Sequence, residues 1–176
     1  MPETRKGEVT FKGNAIDLVG PKLKVGDSAP DFACASAQLA IVKLADSSGK
    51  ARLFNVVPSL DTPVCNKQTK RFNEELASLG NKVAAYTVSL DLPFAQARFC
   101  TTENITNLAS LSDTHNQSFG THYGVLVQGL PIPLLARSVF VVDRSNKITY
   151  AQIVPEMTNE PDYEPALAAL KAAAGA

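Results

Sequence analysis

The sequence predicts an α/β fold: a central mixed β-sheet flanked by helices, with an N-terminal β-hairpin. Three patterns point there. An apolar run over residues 53–57, an amphipathic stretch from Thr62 and an alternating run over 82–90 read as a βαβ unit. A strongly β-branched run over 138–142 turns at Asp143-Arg144-Ser145-Asn146-Lys147 into residues 148–154, and a helix follows, which reads as ββα. Residues 9–11 and 15–19 alternate on either side of Lys12-Gly13-Asn14, a hairpin turn. A βαβ unit makes parallel pairs and a hairpin makes antiparallel ones, so the sheet that contains both is mixed.

Taken in order, Gly20-Pro21 closes the first hairpin and residues 26–30 form a loop. Residues 32–35 read as a short strand holding Cys34, and 38–44 as another, before the turn cluster Asp46-Ser47-Ser48-Gly49-Lys50. Pro58 ends the strand at 53–57. Thr62-Pro63 is a helix start, with a hydroxyl at N-cap and proline at N1, where the missing N–H costs nothing. Cys65, Phe72, Leu76 and Leu79 share one face of that helix, and Gly80 reads as its stop. Asp91-Leu92-Pro93 opens a second helix reaching Cys100, with a weak stripe of Leu92, Ala95 and Phe99. Residues 108–111 read as a strand, 116–123 as a helical turn and 128–133 as a loop. Pro161 with Asp162 and Glu164 starts a last helix, whose apolar face is Tyr163, Leu167, Leu170 and Ala174.

At 176 residues with 45% hydrophobic content, the chain suits one domain over residues 1–176. Lys+Arg and Asp+Glu are both 17, so no bulk charge drives binding to nucleic acid or acidic membranes. No apolar run approaches the roughly 20 residues of a membrane span. The N-terminus has no apolar segment behind its charges, so it does not read as a secretory signal, and a cytoplasmic location is expected. Three scattered cysteines, at 34, 65 and 100, are too few for a disulfide scaffold; in a reducing compartment they point to redox or catalytic use.

Cys65 stands out by position. At N3 of a helix its sulfur meets the positive end of the macrodipole and unpaired backbone N–H groups, conditions that favour the reactive thiolate. Thr62 is placed to turn its hydroxyl toward the sulfur. Arg137 lies among apolar residues, and an arginine there is either an exposed strand end or a buried group with an anionic partner. Cys34, between Phe32-Ala33 and Ala35, reads as inert and buried. His115 and His122 have no partner cluster, and the chain has no C-x-x-C. Asp61 reads as a helix-capping group.

Pro58-x-x-x-Thr62-x-x-Cys65 matches the active-site pattern of peroxiredoxins. The run Pro58-Ser59-Leu60-Asp61-Thr62-Pro63-Val64-Cys65 resembles the thiol peroxidase, atypical 2-Cys branch of that family. So do Asp91-Leu92-Pro93-Phe94-Ala95-Gln96-Ala97-Arg98-Phe99-Cys100, Leu135-Ala136-Arg137-Ser138-Val139-Phe140-Val141-Val142-Asp143 and Glu160-Pro161-Asp162-Tyr163-Glu164. Four motifs in order span nearly the whole chain; Gln128-Gly129-Leu130-Pro131-Ile132-Pro133 is where it departs. The resemblance implies a thioredoxin-like fold and an antioxidant peroxidase acting on hydrogen peroxide and organic hydroperoxides. It implies Cys65 as peroxidatic cysteine, Cys100 as resolving cysteine, and Pro58, Thr62 and Arg137 as the pocket. It further implies an intramolecular Cys65–Cys100 disulfide, thioredoxin as reductant, a homodimer, and no metal or other cofactor. Reset by glutathione or a glutaredoxin, and a peroxide sensor passing its disulfide to a partner, stay open as alternatives. The disulfide would close a loop of 36 residues, which restricts the unfolded chain by roughly 3.8 kcal/mol in the chain-entropy picture.

Overall fold

The structure is a computed structural model that describes residues 1–175. Ten strands and four α-helices follow in chain order. They are β1 (Thr4–Phe11), β2 (Asn14–Val19), β3 (Cys34–Ser36), β4 (Ile41–Val42), β5 (Ala51–Val56), α1 (Pro63–Leu76), β6 (Val83–Ser89), α2 (Pro93–Thr102), β7 (Ala109–Ser112), α3 (Ser118–His122), β8 (Leu126–Gln128), β9 (Ser138–Val142), β10 (Ile148–Ile153) and α4 (Tyr163–Ala174).

Seven strands form the central sheet in the order β10-β9-β5-β6-β7-β3-β4. The β5-β6-β7 run is parallel, and β9, β10, β3 and β4 pair antiparallel, so the sheet is mixed as expected. Every residue of β5 and β9 is buried, as a central strand covered on both faces requires. One face carries Leu53, Ala85, Val139 and Val141 against Phe72 and Leu76 of α1 and Leu167 and Leu170 of α4. The other carries Phe54, Val56, Val88 and Phe140 against Phe119 and Tyr123, in and beside α3, and against Leu18 and Val127 of a second sheet.

That second sheet is β1-β2-β8. The expected hairpin is present, and its two-residue turn, Lys12 and Gly13, has φ of 50° and 82°, the left-handed pair that matches strand twist. β8 was not foreseen: residue 128, read as the start of a loop, ends a three-residue strand paired to β2. Two further expectations are corrected. Residues 38–44 do not form one strand, because Leu39 takes φ 61° to close a turn in which Ser36 N–H reaches Ala40 C=O at 2.8 Å. Only Ile41–Val42 pair, and a 3₁₀ turn over Leu44–Ser47 follows. Gly80 does not stop α1, which ends at Leu76. Its chain tightens so that Leu79 N–H bonds Leu76 C=O at 3.0 Å, and Leu79 stays buried.

The hairpin is clamped to the loop between β10 and α4. The Glu156 carboxylate accepts from Gly13 N–H and Thr158 N–H at 2.8 Å each, Thr158 Oγ1 at 2.7 Å and Thr10 Oγ1 at 3.0 Å. Bonds to the hydroxyl and N–H of Thr158 are the main reason its pKa falls from 4.5 to about 2. A depressed carboxylate pKa stabilises the fold above the unfolded value, and that contribution disappears as pH drops through the folded one. Urea midpoints of wild type and Glu156→Gln should therefore differ most at neutral pH and converge as pH falls from about 4.5 toward about 2. Parallel curves across that window would count against the clamp.

Candidate active site

Local sequence places the thiol. β5 ends at Val56, Pro58 is buried behind it, and Thr62 is the N-cap of α1 with Pro63 at N1, which puts Cys65 at N3. The Cys65 side chain is fully buried against Val57, Leu60 and Phe99. The loop ahead of the helix is held by Asp91, whose carboxylate accepts from Ser59 Oγ and Leu60 N–H at 2.8 Å and from Ser89 Oγ at 2.7 Å. Asp91 stands just before α2, so it ties the thiol's loop to the helix that carries Cys100.

Thr62 departs from its expected orientation. Its hydroxyl does not cap the helix but donates to Ser59 C=O at 3.0 Å, and the residue is exposed. Asp61 is exposed too and makes no side-chain hydrogen bond or ion pair among the described residues, so it caps nothing. The hydroxyl is taken by a nearer carbonyl, a local bond that competes with capping.

Arg137 fits neither sequence expectation. It is only 3% exposed, so it is no exposed strand end, yet no ion pair reaches it among the described residues. Nε donates to Met157 C=O at 2.8 Å, and Nη1 to Gln68 Oε1 at 2.9 Å. Both acceptors are neutral, so the guanidinium charge is held without being cancelled. Gln68 follows Cys65 by three residues on α1, and such neighbours lie roughly 5–6 Å apart on a helix. The hydrogen bond to Gln68 therefore brings the cation to the turn that carries the thiol. Met157 belongs to the loop fixed by Glu156, with its N–H on Thr10 C=O at 2.8 Å.

Cys100 lies in the last turn of α2, in keeping with a helix that opens near Pro93 and reaches it. It is half-buried and, with Phe99, packs against the cluster of Phe72, Leu76 and Leu53. Its side chain lines a cavity of about 550 Å³ with Tyr86, Leu108 and Ser110. Burial pushes the Cys100 thiol up, and a hydrogen bond with the Ser110 hydroxyl pulls it back in part. A different groove, about 340 Å³, lies over the first turn of α1, lined by Leu60, Thr62, Pro63, Arg98 and Phe99. Leu60 and Phe99 thus line that groove and also cover Cys65. All three cysteines are free, and the two thiols expected to react occupy separate surroundings with Phe99 between them in sequence and packing.

Cys34 is fully buried with its S–H on Asp113 Oδ1 at 3.5 Å. Burial first, then the Asp113 charge, pushes this thiol far above its usual range, as an inert cysteine requires. His122 is exposed, with Nδ1 2.7 Å from Asp31 C=O, and His115 is exposed. Among the described residues no group of His, Cys, Asp and Glu could hold a metal ion, and no helix is long and apolar enough to cross a membrane. Gln68, Asp91 and the Met157 carbonyl were missed in the sequence. The spacing Cys65-x-x-Gln68 put one of them on the thiol's helix face, but nothing local marked its partner.

Comparison with known proteins gives the chain a family. The Redoxin family matches residues 24–167. A thiol peroxidase of Bacillus subtilis (strain 168) is 51% identical over 165 residues, covering 94% of this chain and 97% of that one. A thiol peroxidase of Listeria monocytogenes serotype 4b is 49% identical over 166 residues, 94% of this chain and 99% of that one. Among solved structures, a peroxiredoxin-like protein from Aquifex aeolicus superposes with a TM-score of 0.88 at 41% identity, covering 95% and 98% of the two chains. The thiol peroxidase from Chromobacterium violaceum shares the fold, with a TM-score of 0.82 at 19% identity and 93% and 95% coverage. The chain belongs to the Redoxin family, on its thiol peroxidase branch, and is an oxidoreductase of the peroxidase kind.

Proposed function

We propose that this peroxidase works through Cys65, with Cys100 as its resolving partner, on hydrogen peroxide and organic hydroperoxides. The observation that carries the reading is the buried thiol at N3 of α1, on the same helix and three residues before Gln68, which with the Met157 carbonyl holds the Arg137 guanidinium by neutral acceptors. The Cys65 thiolate attacks the nearer peroxide oxygen as the O–O bond breaks. The sulfur gains that oxygen as a sulfenic acid, and the other oxygen leaves as water or an alcohol after taking a proton. Arg137 and the first-turn N–H groups stabilise the charge that builds on the departing oxygen. Pro58 shapes the pocket wall. Thr62 joins the pocket when its hydroxyl leaves Ser59 C=O for the incoming peroxide.

Cys100 then attacks the sulfenic sulfur, releasing water and closing an intramolecular Cys65–Cys100 disulfide. Both thiols sit on helices, Cys65 buried under Leu60 and Phe99 and Cys100 lining its own cavity, and a disulfide needs Cα atoms within about 7 Å. The first turn of α1 and the last turn of α2 rearrange for this step, with Phe99 leaving the gap. A small dithiol protein of the thioredoxin kind reduces the disulfide through a mixed disulfide. A cytoplasmic homodimer completes the reading, supported by the family and by the sequence features above.

After one equivalent of peroxide, mass spectrometry should show a Cys65–Cys100 disulfide in wild type and a trapped Cys65 sulfenic acid in Cys100→Ser. Absence of both products would remove Cys65 as the nucleophile. Cys34→Ser should turn over within about twofold of wild type, since a thiol held protonated takes no part in exchange; a tenfold loss would reassign Cys34. NADPH oxidation coupled through thioredoxin reductase and thioredoxin should sustain turnover. Turnover with glutathione and glutaredoxin alone would replace the reductant, and a single turnover with every reductant would favour a sensor.

A further inference from the structure

A second rank of side chains stands behind Arg137. Gln68 Nε2 donates to Asn55 Oδ1 at 2.5 Å, and Asn55 Nδ2 donates to Thr87 Oγ1 at 2.9 Å and Thr69 Oγ1 at 3.0 Å. Thr87 Oγ1 donates in turn to the backbone carbonyl of Asn55 at 3.3 Å. Asn55, Gln68, Thr69 and Thr87 are all fully buried.

An amide has a donating and an accepting end and fits a socket either way round unless its neighbours decide. Here they decide. Thr87 has one hydroxyl hydrogen and commits it to the Asn55 carbonyl, so toward the Asn55 side chain its oxygen accepts. That turns Asn55 Nδ2 to Thr87 and Thr69 and Oδ1 to Gln68. Gln68 must then face Asn55 with its NH₂ group, which leaves Oε1 for Arg137, a residue with donors only. The chain of polarity runs without conflict from β6 through β5 and α1 to the residue before β9.

We infer that Asn55, oriented by Thr87, is a positioning residue: it locks the Gln68 amide with its oxygen toward Arg137 and so holds an uncancelled positive charge beside Cys65. The inference rests on the role proposed for Arg137. A glutamate at Gln68 would hold the guanidinium equally well but neutralise it, whereas an amide fixes its place and leaves its charge. Without Asn55 the Gln68 NH₂ has no acceptor in a dry site, so the side chain swings toward another acceptor and draws its oxygen off the guanidinium.

The test measures the second-order rate of Cys65 oxidation by hydrogen peroxide in single-turnover experiments on the full chain. The variants are Asn55→Leu, Thr87→Val and Arg137→Gln, singly and with each of the first two combined with the third. Asn55→Leu should slow oxidation about tenfold, the loss expected for one mispositioned charged hydrogen bond, and Thr87→Val by a few fold. In the Arg137→Gln background neither should slow it further. A second readout compares alkylation of Cys65 by anionic iodoacetate and neutral iodoacetamide. The ratio should fall in Asn55→Leu toward its Arg137→Gln value, whereas mere loosening of the core would raise both rates together. Additive losses, or an unchanged ratio, overturn the inference. If Arg137→Gln alone leaves the peroxide rate intact, the proposed role of Arg137 falls, and the alkylation ratio still decides whether Asn55 sets the charge at the thiol. Thr87→Val, which changes polarity at nearly constant shape, carries the same tests if Asn55→Leu does not fold.

Discussion

A cation enclosed without a counterion is the constraint around which this molecule is arranged. Desolvating a guanidinium costs several kcal/mol, and proteins usually meet that cost with a carboxylate. Arg137 instead has the Met157 carbonyl and the Gln68 amide. Dipoles of this kind stabilise a charge only if they are fixed, because a carbonyl or amide that can turn away loses the interaction. The surroundings accordingly supply rigidity. Gln68 is locked through Asn55 to two threonines, and the Met157 loop is locked through Glu156 to the N-terminal hairpin. The hairpin lies far from the thiol in sequence, yet it helps aim the carbonyl that holds the arginine.

A second carboxylate does comparable work on the opposite side of the thiol. Asp91 takes two hydroxyls and a backbone N–H and so joins the loop before α1 to the segment before α2. Phe99 then seals the joint by packing on Cys65 and Leu60. The consequence is a protected thiol next to a half-buried one that faces a different cavity. In this structure the joint holds the two thiols in separate surroundings. Burial raises the Cys100 thiol pKa in this arrangement.

Much of the fold was legible because its signals are local. β9, with four β-branched or apolar residues in a row after Ser138, starts and ends where the pattern does. The Thr62-Pro63 start of α1 places Cys65 at N3 by counting alone. Features that depend on a distant partner were not legible. β8 has three residues and becomes a strand only because the edge of β2 lies beside it. Residues 38–44 alternate in sequence but turn at Leu39, because the chain there must double back against β3. Gly80 looked like a helix stop, but the need to keep Leu79 buried while turning into β6 ended the helix a turn earlier.

The same division runs through the site. Sequence by itself determined the fold class and the helix phase of Cys65, while the resemblance implied Pro58, Thr62, Cys65, Cys100 and Arg137 as the site. The first two follow from patterns along single stretches of chain. Tertiary structure decided that Arg137 is buried without a carboxylate among the described residues, that the Thr62 hydroxyl faces Ser59, and that Cys100 lines a cavity of its own. It also decided which neutral groups hold the cation, drawn from α1 and the loop after β10, and which groups of β5 and β6 stand behind them. Hydrogen-bond polarity among buried side chains is settled only when all partners meet, and those partners are as far apart as Asn55 and Met157 in the chain.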